Sequence, residues 1–226
     1  MKNLSTNLDK VRQHIVRAAC KSGRNASDIT LVAVSKTVDV DTVNAACKLG
    51  VNDFGENRAA ELSRKKEFIP AVNWHMIGRL QTNKVKDVAG KACLIHSLDR
   101  WSLAQELDKR GNTIAQFIPV LLQINIAGEE QKAGITPEET ADFLEDTSSQ
   151  LSWVKIMGLM TVAPLFDDGE ASRPIFRELY QLRTKFSDKI YKNVDLRYLS
   201  MGMSQDYEVA IEEGANIVRV GSAIFG

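Results

Sequence analysis

Eight short apolar runs alternate along this chain with segments of helical periodicity, and no two runs meet without such a segment between them. The runs cover residues 29–34, 51–54, 72–77, 92–96, 119–126, 154–160, 195–199 and 216–220. Strict alternation implies a parallel sheet joined by right-handed helical crossovers. Eight such units is the count that closes a barrel, so the expected fold is α/β, a single (β/α)8 barrel of the TIM type. Only six residues follow the eighth run. A full last helix does not fit there, and the amphipathic segment 4–21, with Leu4, Leu8, Val11 and Ile15 at helical spacing, is expected to cover the gap. No low-complexity linker divides residues 1–226, which predicts one domain.

Composition narrows the function. Apolar residues at 44% and charged residues at 26% suit a globular protein with a sizeable core. A formal net charge of zero provides no global field to draw nucleic acid or anionic membrane. The cluster Arg64-Lys65-Lys66 reads as a solvated helix face. No apolar run approaches the roughly 20 residues of a membrane span, and residues 1–9 lack an apolar signal core. Cys20, Cys47 and Cys93 form no Cys-x-x-Cys pair, so reduced thiols in a cytoplasm are expected, and no zinc.

The chemistry is expected at the C-terminal ends of the strands. The first run, Ile29-Thr30-Leu31-Val32-Ala33-Val34, leads through Ser35 to Lys36. An amine flanked by apolar strand is poorly solvated, and a poorly solvated amine condenses readily with a carbonyl. The alternative is a lysine that simply snorkels to water. Two loops look built for an anion. After the eighth run, Arg219-Val220-Gly221-Ser222 lets backbone N–H groups approach a phosphate. After the seventh, Ser200-Met201-Gly202-Met203-Ser204 places Ser204 at a candidate helix N-cap, though Gly202 and Gly221 can also mark tight turns. Loops seven and eight are where this fold holds phosphate. A strand-end lysine facing such a cup fits pyridoxal 5′-phosphate, and Arg219, if buried, needs a carboxylate or ligand acceptor. A Schiff-base aldolase acting on a sugar phosphate needs the same two features.

The chain resembles the pyridoxal-phosphate homeostasis protein family, whose barrel is like the N-terminal domain of alanine racemase. The resemblance is carried by Ala33-Val34-Ser35-Lys36-Thr37, Phe54-Gly55-Glu56-Asn57, Trp74-His75-Met76-Ile77-Gly78, Met157-Gly158-Leu159-Met160-Thr161, Leu199-Ser200-Met201-Gly202-Met203-Ser204 and Val218-Arg219-Val220-Gly221-Ser222. It implies that Lys36 carries the cofactor as a Schiff base, and that Ser204, Gly221 and Ser222 hold the phosphate. It implies further that Arg219 faces the pyridine nitrogen while Asn57, His75 and Met160 line the ring. The sequence departs from the family at Arg58, where an aromatic is common, and in ending at Gly226. His96 reads as structural; Lys132 reads as a solvated loop charge, with a gating or second-acceptor role open to it by resemblance, and Lys84 and Lys86 stand the same way.

An arginine does not give up its proton, so a pyridine nitrogen facing Arg219 would stay unprotonated and the ring would be a weak electron sink. By resemblance, racemases with this arrangement draw a second base from a further β-domain and a partner subunit, for which this chain has no residues left. The expectation is therefore a monomeric binder without turnover. It would buffer pyridoxal phosphate and related B6 vitamers and pass the cofactor to apo-enzymes, affecting amino-acid and keto-acid metabolism. A slow amino-acid racemase is the enzymatic alternative.

Overall fold

The computed structural model describes residues 2–129, 131 and 133–226, so the role considered for Lys132 lies outside the described residues. Eight parallel strands close into a barrel in chain order: β1 (Thr30–Val34), β2 (Asp53–Glu56), β3 (Asn73–Met76), β4 (Leu94–Leu98), β5 (Ile118–Gln123), β6 (Val154–Met160), β7 (Val194–Ser200) and β8 (Ile217–Val220). Around them run α1 (Lys2–Lys21), α2 (Val40–Lys48), α3 (Ala59–Phe68), α4 (Val85–Val88), α5 (Trp101–Ile114), α6 (Thr140–Gln150), α7 (Arg173–Ser187), α8 (Tyr207–Glu212) and α9 (Ser222–Phe225). The expected barrel is the observed one.

Strand alternation divides the core in two. Outward residues such as Phe54, Trp74 and Leu122 join the large layer between strands and helices. Inward residues Val32, Leu94, Leu121, Met160 and Ile217 fill the barrel itself. On β1 the inward parity of Val32 passes through Val34 to Lys36, which is why that lysine reaches the barrel mouth.

The N-terminal helix closes the structure as expected. Leu4, Leu8, Val11 and Ile15 form its buried stripe, and it packs on α8 and α9. Asn7 Nδ2 donates to Ile224 O at 3.1 Å, and Lys21 pairs with Glu212 at 2.7 Å. The single turn α9 follows β8. Between β3 and β4 the crossover is a 3-10 turn, Thr82–Lys84, followed by the one turn of α4. The Asp99 carboxylate is taken by Arg79 and Arg100, and Arg100 holds the N-cap position of α5.

Candidate functional site

A cavity of about 380 Å³ opens at the C-terminal mouth of the barrel. Lys36, Asn57, Ser204, Arg219, Gly221 and Ser222 all line it. Residues spread over most of the sequence meet there because each follows, or ends, a strand of the same barrel.

Lys36 stands where β1 leaves the sheet for a turn. Its side chain is exposed, so the apolar strand does not enclose the amine as expected. The next residue, Thr37, holds φ at 65°, in the left-handed region that β-branched residues seldom adopt. The turn is fastened from below. Lys65, 1% exposed, donates from Nζ to Ser35 O at 2.7 Å and to Glu56 Oε1 at 2.6 Å. Ser35 Oγ donates to the same carboxylate oxygen at 2.6 Å. Burial pushes the Glu56 carboxyl above its ordinary range, against the hydrogen bonds from Lys65 and Ser35. The solvated-face reading of Lys65 is thus corrected: α3 turns this one residue of its basic cluster inward onto Glu56.

Arg219 is 5% exposed and faces no carboxylate within ion-pair distance among the described residues. Its Nη1 donates to Ser200 Oγ at 2.6 Å and its Nη2 to Thr161 O at 2.9 Å. Burial lowers the guanidinium to about 10, against the attraction of Asp206, so it stays charged at neutral pH. A buried cation held this way favours an electron-rich acceptor in the cavity.

The anion cup is made by backbone. The N–H groups of Gly221 and Ala223 converge on Ser204 Oγ at 3.2 and 3.4 Å. Amides gathered on one oxygen suit the oxygens of a phosphate equally well. Ser204 is not the expected N-cap: that position belongs to Asp206, whose Oδ1 accepts from Met203 N at 2.7 Å. Asn57, just after β2, lines the same cavity. A Cβ at Gly78 would stand 2.3 Å from Asn57 O, so only glycine lets the loop after β3 pack this closely against the Asn57 backbone.

The sequence matches the alanine racemase N-terminal domain family over residues 2–226. A pyridoxal phosphate homeostasis protein of Aquifex aeolicus is 44% identical over 228 residues, covering 99% of this chain and 98% of that protein. That of Pseudomonas aeruginosa is 36% identical, covering 100% and 96%. The structure of PipY from Synechococcus elongatus PCC7942 with PLP bound superposes with a TM-score of 0.84 at 30% identity, covering 99% of this chain and 100% of that one. The chain belongs to the pyridoxal phosphate homeostasis protein family.

In this member of the family, two of the residues expected at the ring lie elsewhere. His75 is buried inside the barrel and lines a separate cavity at the N-terminal ends of the strands, beside Asp53. It sits one step short of the strand end, and the residue of β3's inward parity that reaches the mouth is Ile77. Met160 fills the barrel below the mouth with Val32, Leu94, Leu121 and Ile217. It supports the floor rather than lining the cavity. His96 is fully buried in the barrel, while Lys84, at the end of the 3-10 turn, and Lys86, on α4, are exposed.

Sequence reasoning missed the loop after β6, whose Pro164, Leu165 and Phe166 line the cavity. Leu165 is 81% exposed. The available signal was the apolar stretch Val162-Ala163-Pro164-Leu165-Phe166, which continues past the strand where a polar loop is usual. Asp206 was missed as well, because a carboxylate two residues beyond Ser204 carries no periodic signature.

Proposed function

We propose that the cavity holds pyridoxal 5′-phosphate and that the protein serves intracellular homeostasis of this cofactor, buffering it and releasing it to apo-enzymes. The carrying observation is that an accessible lysine, a buried guanidinium with no carboxylate partner among the described residues, and converging backbone amides line one cavity. These groups fit the cofactor's aldehyde, ring nitrogen and phosphate in turn. The cofactor supplies an aldehyde that condenses with an amine, and Lys36 is the residue that would hold it covalently. Gly221, Ser222 and Ser204 would bind the phosphate, Arg219 would orient the ring through its nitrogen, and Asn57 would border it. The names of the relatives and the cofactor carried by PipY point the same way.

Binding without turnover is the reading the lining supports. Among the described residues, the ionisable side chains around the cavity are Lys36, Asp206 and Arg219. Asp206 is engaged by Ser172 Oγ and the Met203 amide. Arg219 does not work as a base. Two-base racemisation takes a proton from one face of the substrate and returns one to the other, and among these residues Lys36 is the free base. A monomer in the cytoplasm is the corresponding form in the cell.

The deciding measurement is the absorbance spectrum of wild type beside Lys36→Ala after incubation with pyridoxal phosphate. A visible band in wild type alone, bleached by borohydride with a pyridoxyl mass fixed on Lys36, is the expected result. A colourless wild type at saturating cofactor would overturn the assignment and favour a sugar-phosphate ligand. Exchange of amino-acid α-protons in heavy water then tests turnover, and none is expected.

A further inference from the structure

A row of polar side chains crosses the apolar barrel interior from Arg219 to the opposite face. Arg219 Nη1 lies 2.6 Å from Ser200 Oγ, and Ser200 Oγ lies 2.9 Å from His96 Nδ1. His96 Nε2 is 3.0 Å from His75 Nδ1, and His75 Nε2 is 3.1 Å from Asp53 Oδ1. Asp53 and His75 border the second cavity, of about 420 Å³, at the N-terminal ends of the strands.

The direction of these bonds follows from the two ends. Arginine only donates and an ionised carboxylate only accepts. Burial, with His75 and Arg219 facing it, holds His96 well below the usual imidazole range, so His96 is neutral and has one N–H. With His75 also neutral, its Nε2–H must donate to Asp53, which leaves Nδ1 to accept from His96 Nε2–H. His96 Nδ1 then accepts the Ser200 hydroxyl, and Ser200 Oγ accepts from Arg219. All four bonds run toward Asp53. A proton added to His75 changes this, because both its nitrogens then donate. His96 must accept at Nε2 and shift its own proton to Nδ1, and Ser200 must accept from His96 and Arg219 together.

We infer that Asp53, His75, His96 and Ser200 are positioning residues for Arg219, and that one proton on His75 reverses the two bonds that His96 makes, to His75 and to Ser200, and so resets the guanidinium at the cavity. The groups around His75 come from several strands. Asp53 on β2, Cys93 just before β4, His96 on β4, Lys155 near the start of β6 and Tyr198 on β7 surround it, and Arg219 on β8 lies beyond His96 and Ser200. The consequence for cofactor affinity rests on the pyridoxal-phosphate reading; the reversal itself does not.

The test has two arms. In 15N-labelled protein without cofactor, NMR at alkaline pH is expected to show both imidazoles as Nε2–H tautomers. On acidification His96 is expected to switch to Nδ1–H, staying neutral, in step with the arrival of a proton on His75, and in Asp53→Asn, which removes the carboxylate that accepts from His75 Nε2–H, both changes shift together. An Nδ1–H His96 at alkaline pH, or a His96 tautomer indifferent to His75, would overturn the inference. In the second arm, the Kd for pyridoxal phosphate is followed across the same interval. The ratio between wild type and Asp53→Asn is expected to change at least about fivefold, the low end of ordinary coupling between sites. A constant ratio overturns the link to Arg219. Absence of binding in both proteins overturns the cofactor reading alone, and the NMR arm still decides the chain of bonds.

Discussion

At the scale of single residues, Lys65 and Glu56 are the most consequential pair that touches no ligand. Both are almost fully buried, and between them they hold the Ser35 carbonyl and hydroxyl next to Lys36. Glu56 Oε2 has no hydrogen-bond partner among the described residues, so the carboxylate already pays a desolvation penalty that Lys65 offsets. Removing the amine leaves that charge uncompensated. Lys65→Met is expected to lose about 3–5 kcal/mol of stability at neutral pH in urea denaturation. The sign of its pH dependence follows from the raised Glu56 carboxyl. The native state binds a proton that the unfolded state has released, so stability falls as pH rises above the ordinary glutamate value. Without Lys65 that window widens, and the deficit of the variant should shrink at pH 5 relative to pH 8. A deficit independent of pH would mean that Glu56 is not the cause.

At the scale of elements, α1 stands where the last crossover helix of a barrel would stand, and its stripe is the cover for α8 and α9. Leu8 is fully buried in that stripe. Leu8→Ala is expected to destabilise by about 2–5 kcal/mol, read from denaturant unfolding at constant m-value. A loss below about 1 kcal/mol would mean that α1 is only loosely applied. This covering role was legible in the sequence because the stripe is periodic and the space after the eighth strand is short. Strand order was legible for a similar reason: the alternation admits one closed arrangement. Residues such as Lys36 and Gly221 followed from it, since they sit at strand ends. What stayed hidden depends on single-residue parity and on partners distant in sequence. His75 was placed at the ring by resemblance, whereas its inward direction on β3 buries it inside the barrel, beside the cavity at the N-terminal strand ends. Lys65 was hidden among basic neighbours, and only the closed fold brings Glu56 beneath it.

At the scale of the whole molecule, closure itself makes a prediction. Every strand is hydrogen-bonded on both sides, so the sheet has no edge from which to open. The proposed ligand contacts come from the ends of β1, β2, β7 and β8, and they cannot form unless these strands are in register. Ligand binding should therefore stabilise the barrel as one unit. At about a hundredfold excess over Kd, a ligand that binds only the native state adds about 2.7 kcal/mol. For a chain of 226 residues this corresponds to a rise in Tm of about 5–10 °C. The rise should be the same by circular dichroism and by tryptophan fluorescence, because Trp74 is buried in the barrel wall while Trp101 and Trp153 sit on or near other elements. Inorganic phosphate occupies only the amide cup and should raise Tm by a fraction of that amount. Lys36→Ala should keep the phosphate response and lose most of the extra rise due to pyridoxal phosphate. Equal responses to the two ligands in wild type would place the stabilisation in the cup alone and remove Lys36 from the binding site.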